Sequence, residues 1–261
     1  MKKLILAVLC AAALSANAQN EPKKLADTIK KDILTAPDTV KKLHTKFWTL
    51  IPPGAAIAYG ALSFVVQPIR HVDYYVYGDI ARTEPDFHTK AESYFLITPI
   101  VMVYGLNLIG VEGKNRFIDR TALLGLSGGY LGLSGYITKY TTHRLRPNKT
   151  DYLSFPSGHT SIAFMGAEFL AQEYSDKSPV YTIIGFSVAA TTGVFRLYNR
   201  DHWFSDVVAG AGFGILSTKL AYLTYPYIRN YLTHKDKKGR TTMLTPTFEQ
   251  GAPGLAFAMQ L

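Results

Sequence analysis

The sequence predicts an all-α protein, a six-helix bundle set across a membrane, on three observations: long uncharged apolar runs, few charged residues, and glycine concentrated inside one of those runs. Charged residues make up 18% of the chain and apolar ones 48%. A helix needs roughly 20 apolar residues to cross the ~30 Å hydrocarbon core of a bilayer, so uncharged stretches approaching that length read as spans.

The first run, Phe47 to Ile69, is uncharged, and Pro52-Pro53-Gly54 makes it the weakest span because proline disturbs helix hydrogen bonding. Ser93 to Val111 and Thr121 to Thr138 follow, bounded by Glu92, Glu112, Arg120 and Lys139. Thr160 to Tyr174 is apolar apart from Glu168, Gln172 and Glu173, Ser178 to Phe195 is uncharged, and Val207 to Ile228 is interrupted only by Lys219. Gly125, Gly128, Gly129, Gly132 and Gly135 crowd the third run, where small residues are expected to let another helix approach closely.

Outside these runs, Met1 to Ala18 combines two lysines, an apolar stretch and small residues at Ala16 and Ala18, the pattern of a secretory signal or, if uncleaved, an anchor. Gln19 to Lys46 is a polar segment with seven lysines, residues 47–232 form the expected membrane domain, and 233–261 a tail, of which the pattern leaves Thr241 to Leu261 unassigned between strand and disorder. Cys10 is the one cysteine and follows Leu9 rather than a small residue, so neither a disulfide framework nor lipidation is expected. The formal charge of +9 suits anionic lipid or a phosphorylated substrate, and no nucleic-acid-binding module accompanies it. Lys114, Arg116 and Arg120 in one loop and Arg229 to Arg240 after the last run favour the cytoplasm, which turns the connections after the third and fifth runs to the opposite, periplasmic side. A cleaved signal followed by six spans gives the reverse orientation; the expectation follows the charges.

Three clusters at the ends of these runs carry chemistry. In Lys139-Tyr-Thr-Thr-His143-Arg144-Leu-Arg146-Pro147, a helix would set Lys139 and Arg146 on one face and end at Pro147. Pro156-Ser157-Gly158-His159 opens the fourth run, where glycine and the unpaired N–H groups of a helix start suit an anion. Arg196-Leu-Tyr-Asn-Arg200-Asp201-His202-Trp-Phe-Ser-Asp206 leads into the last run, and on a helix Asp206 would hold one nitrogen of His202 and free the other to attack. Taken singly, each is as well explained by a basic juxtamembrane stretch, a helix cap or an interfacial ion pair.

Together they resemble the type 2 phosphatidic acid phosphatase superfamily, over Thr121 to about Ile228, with the helix layout extending the likeness to Phe47. Phe195 departs from it, standing where the family usually has serine. The resemblance implies a membrane lipid phosphatase in which His202 is the nucleophile, oriented by Asp206, while His159 protonates the leaving group and then activates water. Lys139, Arg146 and Arg196, with Ser157 and Gly158 and their amides, would bind the phosphoryl oxygens; His143, Arg144 and Arg200 would be headgroup contacts or interface anchors. Neither metal nor cofactor is expected, because only Asp151, Asp201 and Asp206 near the motifs could ligate a metal pair. The implied substrate is a phosphomonoester or diphosphate of a lipid: lipid A, undecaprenyl diphosphate, phosphatidylglycerophosphate or phosphatidate. Its implied place is a bacterial inner membrane, with the site facing the periplasm. The rival readings are a secreted acid phosphatase, a vanadium-dependent haloperoxidase and an inactive membrane scaffold.

Overall fold

The computed structural model describes residues 47–232 and two strands, Thr242–Glu249 and Ala252–Met259; the expected signal and the lysine-rich segment lie outside the described residues. A single 3₁₀ turn, Phe47–Leu50, leads into α1, Ile51–Leu62. Pro52 and Pro53 occupy the first turn of α1, where a missing N–H breaks no helical bond, so they start the helix rather than spoil it. The break comes later. Val66 is extended, Pro68 sits in the first turn of α2, Gln67–Thr83, and α2 turns 87° away from the stretch Trp48–Leu62. The Arg70 guanidinium donates to the carbonyls of Ser63 and Phe64 and so satisfies backbone that the break exposes. The uncharged run from Phe47 to Ile69 is therefore two helices with a sharp bend between them and not one straight helix.

The second run is also divided, into α3, Ala91–Phe95, and α4, Thr98–Leu108, with Pro99 in the first turn of α4. The remaining four runs fall within α5, Phe117–Thr142; α6, Gly158–Tyr174; α7, Pro179–Tyr198; and α8, Phe204–Leu232. The described residues thus form eight helices where six were expected. By length and composition, α7 and the Phe204–Asn230 part of α8 can each cross a bilayer, and the bent pair α1–α2 passes that test only when joined. The tail resolves into an antiparallel hairpin, paired from Thr242 with Met259 to Glu249 with Ala252.

α8 is the central helix, packed on α1, α5 and α6, and α6 also contacts α4 and α7. Phe169, Leu170 and Tyr174 of α6 meet Val103 and Leu106 of α4, Leu123 of α5 and Tyr222 of α8 to form the main apolar core. The close helix crossings use glycines that the sequence had not singled out. A Cβ on Gly60 of α1 would lie 2.8 Å from the Ser205 carbonyl oxygen, and one on Gly214 of α8 would lie 2.7 Å from the Met165 amide nitrogen. At Gly125, Gly128, Gly129, Gly132 and Gly135, by contrast, an added Cβ meets nothing within 4 Å, so the glycine-rich run of α5 does not mediate the close helix approach expected of it.

Charges inside the bundle are paired, as a low-dielectric surrounding demands. Lys219 of α8 holds Glu168 of α6 at 2.8 Å, and Gln172 donates to the same carboxylate at 2.7 Å. Near the start of α5, fully buried Arg120 lies 3.4 Å from Glu173, and the Glu173 carboxylate also accepts from Asn115 and from the Tyr222 hydroxyl. This second polar cluster stands at the end of α5 away from Lys139.

Candidate active site

The three motifs meet at one end of the bundle. α5 stops at Thr142 because His143 takes a left-handed conformation, φ 44°, and its N–H reaches back to the Lys139 carbonyl. Pro147 is therefore not the terminator, and Arg146 lies beyond the helix instead of sharing a face with Lys139. A compact loop carries Arg146 back over the helix end. Asp151 receives Arg146 Nε at 2.8 Å and the Leu153 N–H at 2.8 Å, while Thr150 bonds to the Asn148 side chain. The Lys139 ammonium fastens this loop to α5, donating to the carbonyls of Leu153 at 2.6 Å and Pro156 at 2.8 Å.

His202 is buried in the connection between α7 and α8, one residue before the N-cap rather than on the helix. Its Nδ1 lies 2.8 Å from the Ser154 carbonyl oxygen, an arrangement that puts the proton on Nδ1 and leaves a lone pair on Nε2. Arg146 Nη1 donates to that Nε2 at 3.1 Å and to the Asp201 carbonyl at 3.2 Å. Asp206 stands 3.8 Å from Nδ1, too far for a hydrogen bond. Its carboxylate is committed elsewhere, to Arg144 at 2.6 Å, the Ser154 hydroxyl at 2.5 Å and the Trp203 N–H at 2.9 Å. The Trp203 contact closes half a capping box at the start of α8. The expected direct clamp of Asp206 on His202 is thus replaced by one that passes through Ser154. Burial pushes the His202 imidazole down to about 4, and the Asp206 carboxylate opposes that shift without reversing it. The ring is neutral at pH 7.

Arg196, in the last turn of α7, is gripped on one side only: Glu92 accepts from Nη1 at 3.1 Å and Asp201 pairs with Nη1 at 2.9 Å. Its Nε is buried without a partner among the described residues. An orphaned guanidinium donor in a protein interior is costly, and the Nε–Nη2 edge has the fork geometry that binds phosphate oxygens in pairs. His159 lies in the first turn of α6, within electrostatic reach of Arg196, Arg146, Glu92 and Asp201. Lys139 is in the same field, together with Arg146, Arg196 and Asp206. The first backbone bond of α6 runs from the Ser161 N–H to the Ser157 carbonyl, which leaves the amides of Gly158 and His159 ahead of the helical ladder. The Ser157 amide is not available to an anion, because it donates to the Asp206 carbonyl at 3.1 Å, and its hydroxyl pairs with that of Thr160 at 2.9 Å.

The expected headgroup contacts separate. His143 is exposed at the helix end. Arg200 is left-handed, φ 59°, and donates to the Pro85 carbonyl, tying the loop after α2 to the site. Arg144 turns inward instead: Nη2 meets Asp73 at 2.6 Å, Nη1 meets Asp206 at 2.6 Å and the Ser205 hydroxyl at 2.8 Å, and the guanidinium stacks near Phe64 and Trp203. It braces the site and does not reach toward headgroups. Asp73, Glu92 and Ser154 were missed. The signal for the two acids was present, since a carboxylate beside apolar membrane sequence needs a partner; Ser154 makes its key bond with a backbone oxygen and leaves no sequence trace.

This site and fold define a class: a helical membrane protein whose bundle end gathers two histidines and a set of guanidinium and ammonium groups around one place. A family model described as the PAP2 superfamily matches residues 121–230, which cover all three motifs. The chain is 31% identical over 229 residues to a lipid A 1-phosphatase of Porphyromonas gingivalis, an alignment covering 84% of this chain and 49% of that protein. It is 33% identical over 128 residues to a probable lipid phosphate phosphatase 4 of Arabidopsis thaliana, covering 41% of this chain and 42% of the relative. The chain spans about half or less of the length of these curated relatives. The fold is similar, at a TM-score of 0.51 and 17% identity, to the crystal structure of a transmembrane PAP2 type phosphatidylglycerolphosphate phosphatase from Bacillus subtilis, covering 73% of this chain and 100% of that one. Over residues 121–230, the part of the chain that carries all three motifs, the chain is similar to the type 2 phosphatidic acid phosphatase (PAP2) superfamily.

Proposed function

We propose that this protein is an integral membrane phosphatase that hydrolyses a phosphomonoester or diphosphate of a lipid through a phosphohistidine on His202. The observation that carries this reading is the state of the His202 ring: Nδ1 is held by the Ser154 carbonyl and Nε2 points its lone pair at a guanidinium. A phosphoryl group entering beside Arg146 meets that lone pair. Nε2 attacks phosphorus, the bond from phosphorus to the lipid oxygen breaks, and His159 gives its proton to the departing oxygen. His159 then takes a proton from water, the water oxygen attacks phosphorus, and the bond to Nε2 breaks to release inorganic phosphate. During the first step the ring gains positive charge, which the Ser154 carbonyl and the Asp206 carboxylate offset. Lys139, Arg146, the open edge of Arg196 and the Gly158 and His159 amides bind the non-bridging oxygens.

The relatives' names support a lipid phosphate as the substrate, and the family's motif spacing supports the assigned roles. We place the protein in a bacterial inner membrane with this site at the periplasmic edge. That orientation rests on Lys114, Arg116 and Arg229, which lie at the opposite end of the bundle from Lys139, on the side that positive charge assigns to the cytoplasm. The test is phosphate release by purified protein from a panel of lipid A, undecaprenyl diphosphate, phosphatidylglycerophosphate and phosphatidate, with His202→Ala as the control. Release from at least one lipid, abolished in the variant, is expected. Release from none, or from one with the variant equally active, overturns the reading.

A further inference from the structure

A groove of about 450 Å³ runs between α5 and α6, within the ~300–1,000 Å³ of ordinary ligand pockets. It exists because Gly128, Gly132 and Gly135 present no side chain there, and Leu131, Ile162 and Met165 complete an apolar lining. At one end it is bounded by Lys139, Pro156 and Gly158, so the groove and the proposed phosphate site share their wall. From Lys139 down to Gly128 is eleven residues of helix, about 16 Å, or roughly half of a ~30 Å hydrocarbon core. The groove therefore begins at the anion site and reaches the depth of one leaflet.

We propose that this groove holds a hydrocarbon chain of the substrate lipid, and that the glycines of α5 set the chain length and bulk the enzyme accepts. The inference rests on the proposed lipid phosphatase activity and adds where the lipid's apolar part is read. Its basis is continuity and polarity. A lipid phosphate pairing its headgroup with Lys139 has its chain leaving into the bilayer, and the groove starts at Lys139 with an apolar lining of matching depth. Gly129, on another face of the same helix, and Gly125, one turn deeper than Gly128, line no part of it, and their Cβ positions are equally open.

The test fills the groove without touching the reacting groups. Gly132→Leu adds four carbons starting from a Cβ position with nothing within 4 Å and replaces glycine in a helix by a better helix former, so the variant is expected to fold. Kinetics are measured on the long-chain lipid phosphate that wild type hydrolyses fastest and on its short-chain analogue, together with inhibition by inorganic orthophosphate. Gly132→Leu is expected to lower kcat/KM for the long-chain lipid by about tenfold or more, the scale of excluding methylenes from an apolar pocket, with smaller effect on the short-chain analogue and none on orthophosphate inhibition. Gly128→Leu, deeper in the groove, is expected to impair only the long chain, and Gly129→Leu to change nothing. Equal loss on both lipids, weakened orthophosphate inhibition, or the same loss from Gly129→Leu overturns the proposal. So does a changed oligomeric state with unchanged chain-length selectivity, which gives the groove to a second copy. A wild type that releases phosphate from no lipid is a different failure and sinks the underlying activity instead.

Discussion

Removing Arg144 separates the brace that the structure describes from the headgroup contact that the sequence suggests. Arg144 bridges two carboxylates that have almost no exposure of their own, Asp73 at 1% and Asp206 at 0%. Arg144→Ala leaves both buried beside aromatic rings with their charges uncompensated, although Ser205 and Ser154 still donate to them. Breaking a buried pair from one side costs about 3–5 kcal/mol, which lowers the ratio of folded to unfolded protein roughly 150- to 5,000-fold. At about 2–4 °C per kcal/mol for a chain of this size, the thermal midpoint in detergent should fall by about 6–20 °C. Arg144→Lys should recover only part of the loss, because one ammonium cannot span two carboxylates that the separate guanidinium nitrogens now reach. Asp206 also holds the Ser154 hydroxyl, whose residue positions His202, so kcat should fall along with stability. The measurements are thermal denaturation by intrinsic fluorescence and steady-state kinetics on the same preparations. A variant with unchanged midpoint and kcat but a raised KM for lipid alone would refute the brace and restore the headgroup role.

Further outcomes follow from the same geometry. Arg196→Lys keeps the charge but removes the orphaned Nε and the fork, and kcat should drop about 10²–10³-fold on loss of a transition-state contact; this is read in steady-state assays with folding checked by chromatography. Because burial lowers the His202 ring to about 4, below its ordinary 6.5, the folded state binds fewer protons than the unfolded one between those values. The stability contributed by the neutral ring is complete above about pH 6.5 and is lost as pH falls toward 4, so His202→Gln should flatten the decline of thermal midpoint over that interval. Lys219→Ala strands Glu168 inside the bundle and should destabilise by about 3–5 kcal/mol, whereas Lys219→Leu combined with Glu168→Gln should recover most of it, measured by thermal denaturation.

Much of the site was legible because covalent spacing and chemical type are both properties of the sequence. Lys139, Arg146, His159, Arg196 and His202 lie in three separated stretches, and the fold brings all three to one end of the bundle. Helix placement was legible wherever apolar runs were long, as in α5 to α8, since length and hydropathy alone decide the matter there. It failed at the break between α1 and α2, because Ser63 to Val66 are as apolar as their neighbours and only the extended Val66 and the position of Pro68 end one helix and start another. The glycines of α5 misled for a related reason: a small residue marks either a close crossing or open space, and only the neighbours say which. Asp206 was read as partner to His202 from four-residue spacing, yet a side chain with two acceptors is claimed by whichever donors surround it. Arg144 and Ser154 come from a loop that spacing does not relate to Asp206.

The central claim, that His202 carries the phosphoryl group, is tested most directly by rapid quench at alkaline pH during turnover of a lipid phosphate, followed by mass spectrometry of the peptide containing His202. The account expects one added phosphoryl group on His202 in wild type and none in His202→Ala, with turnover lost. Steady turnover by His202→Ala, or wild-type turnover with the phosphoryl group found on another residue, would contradict it.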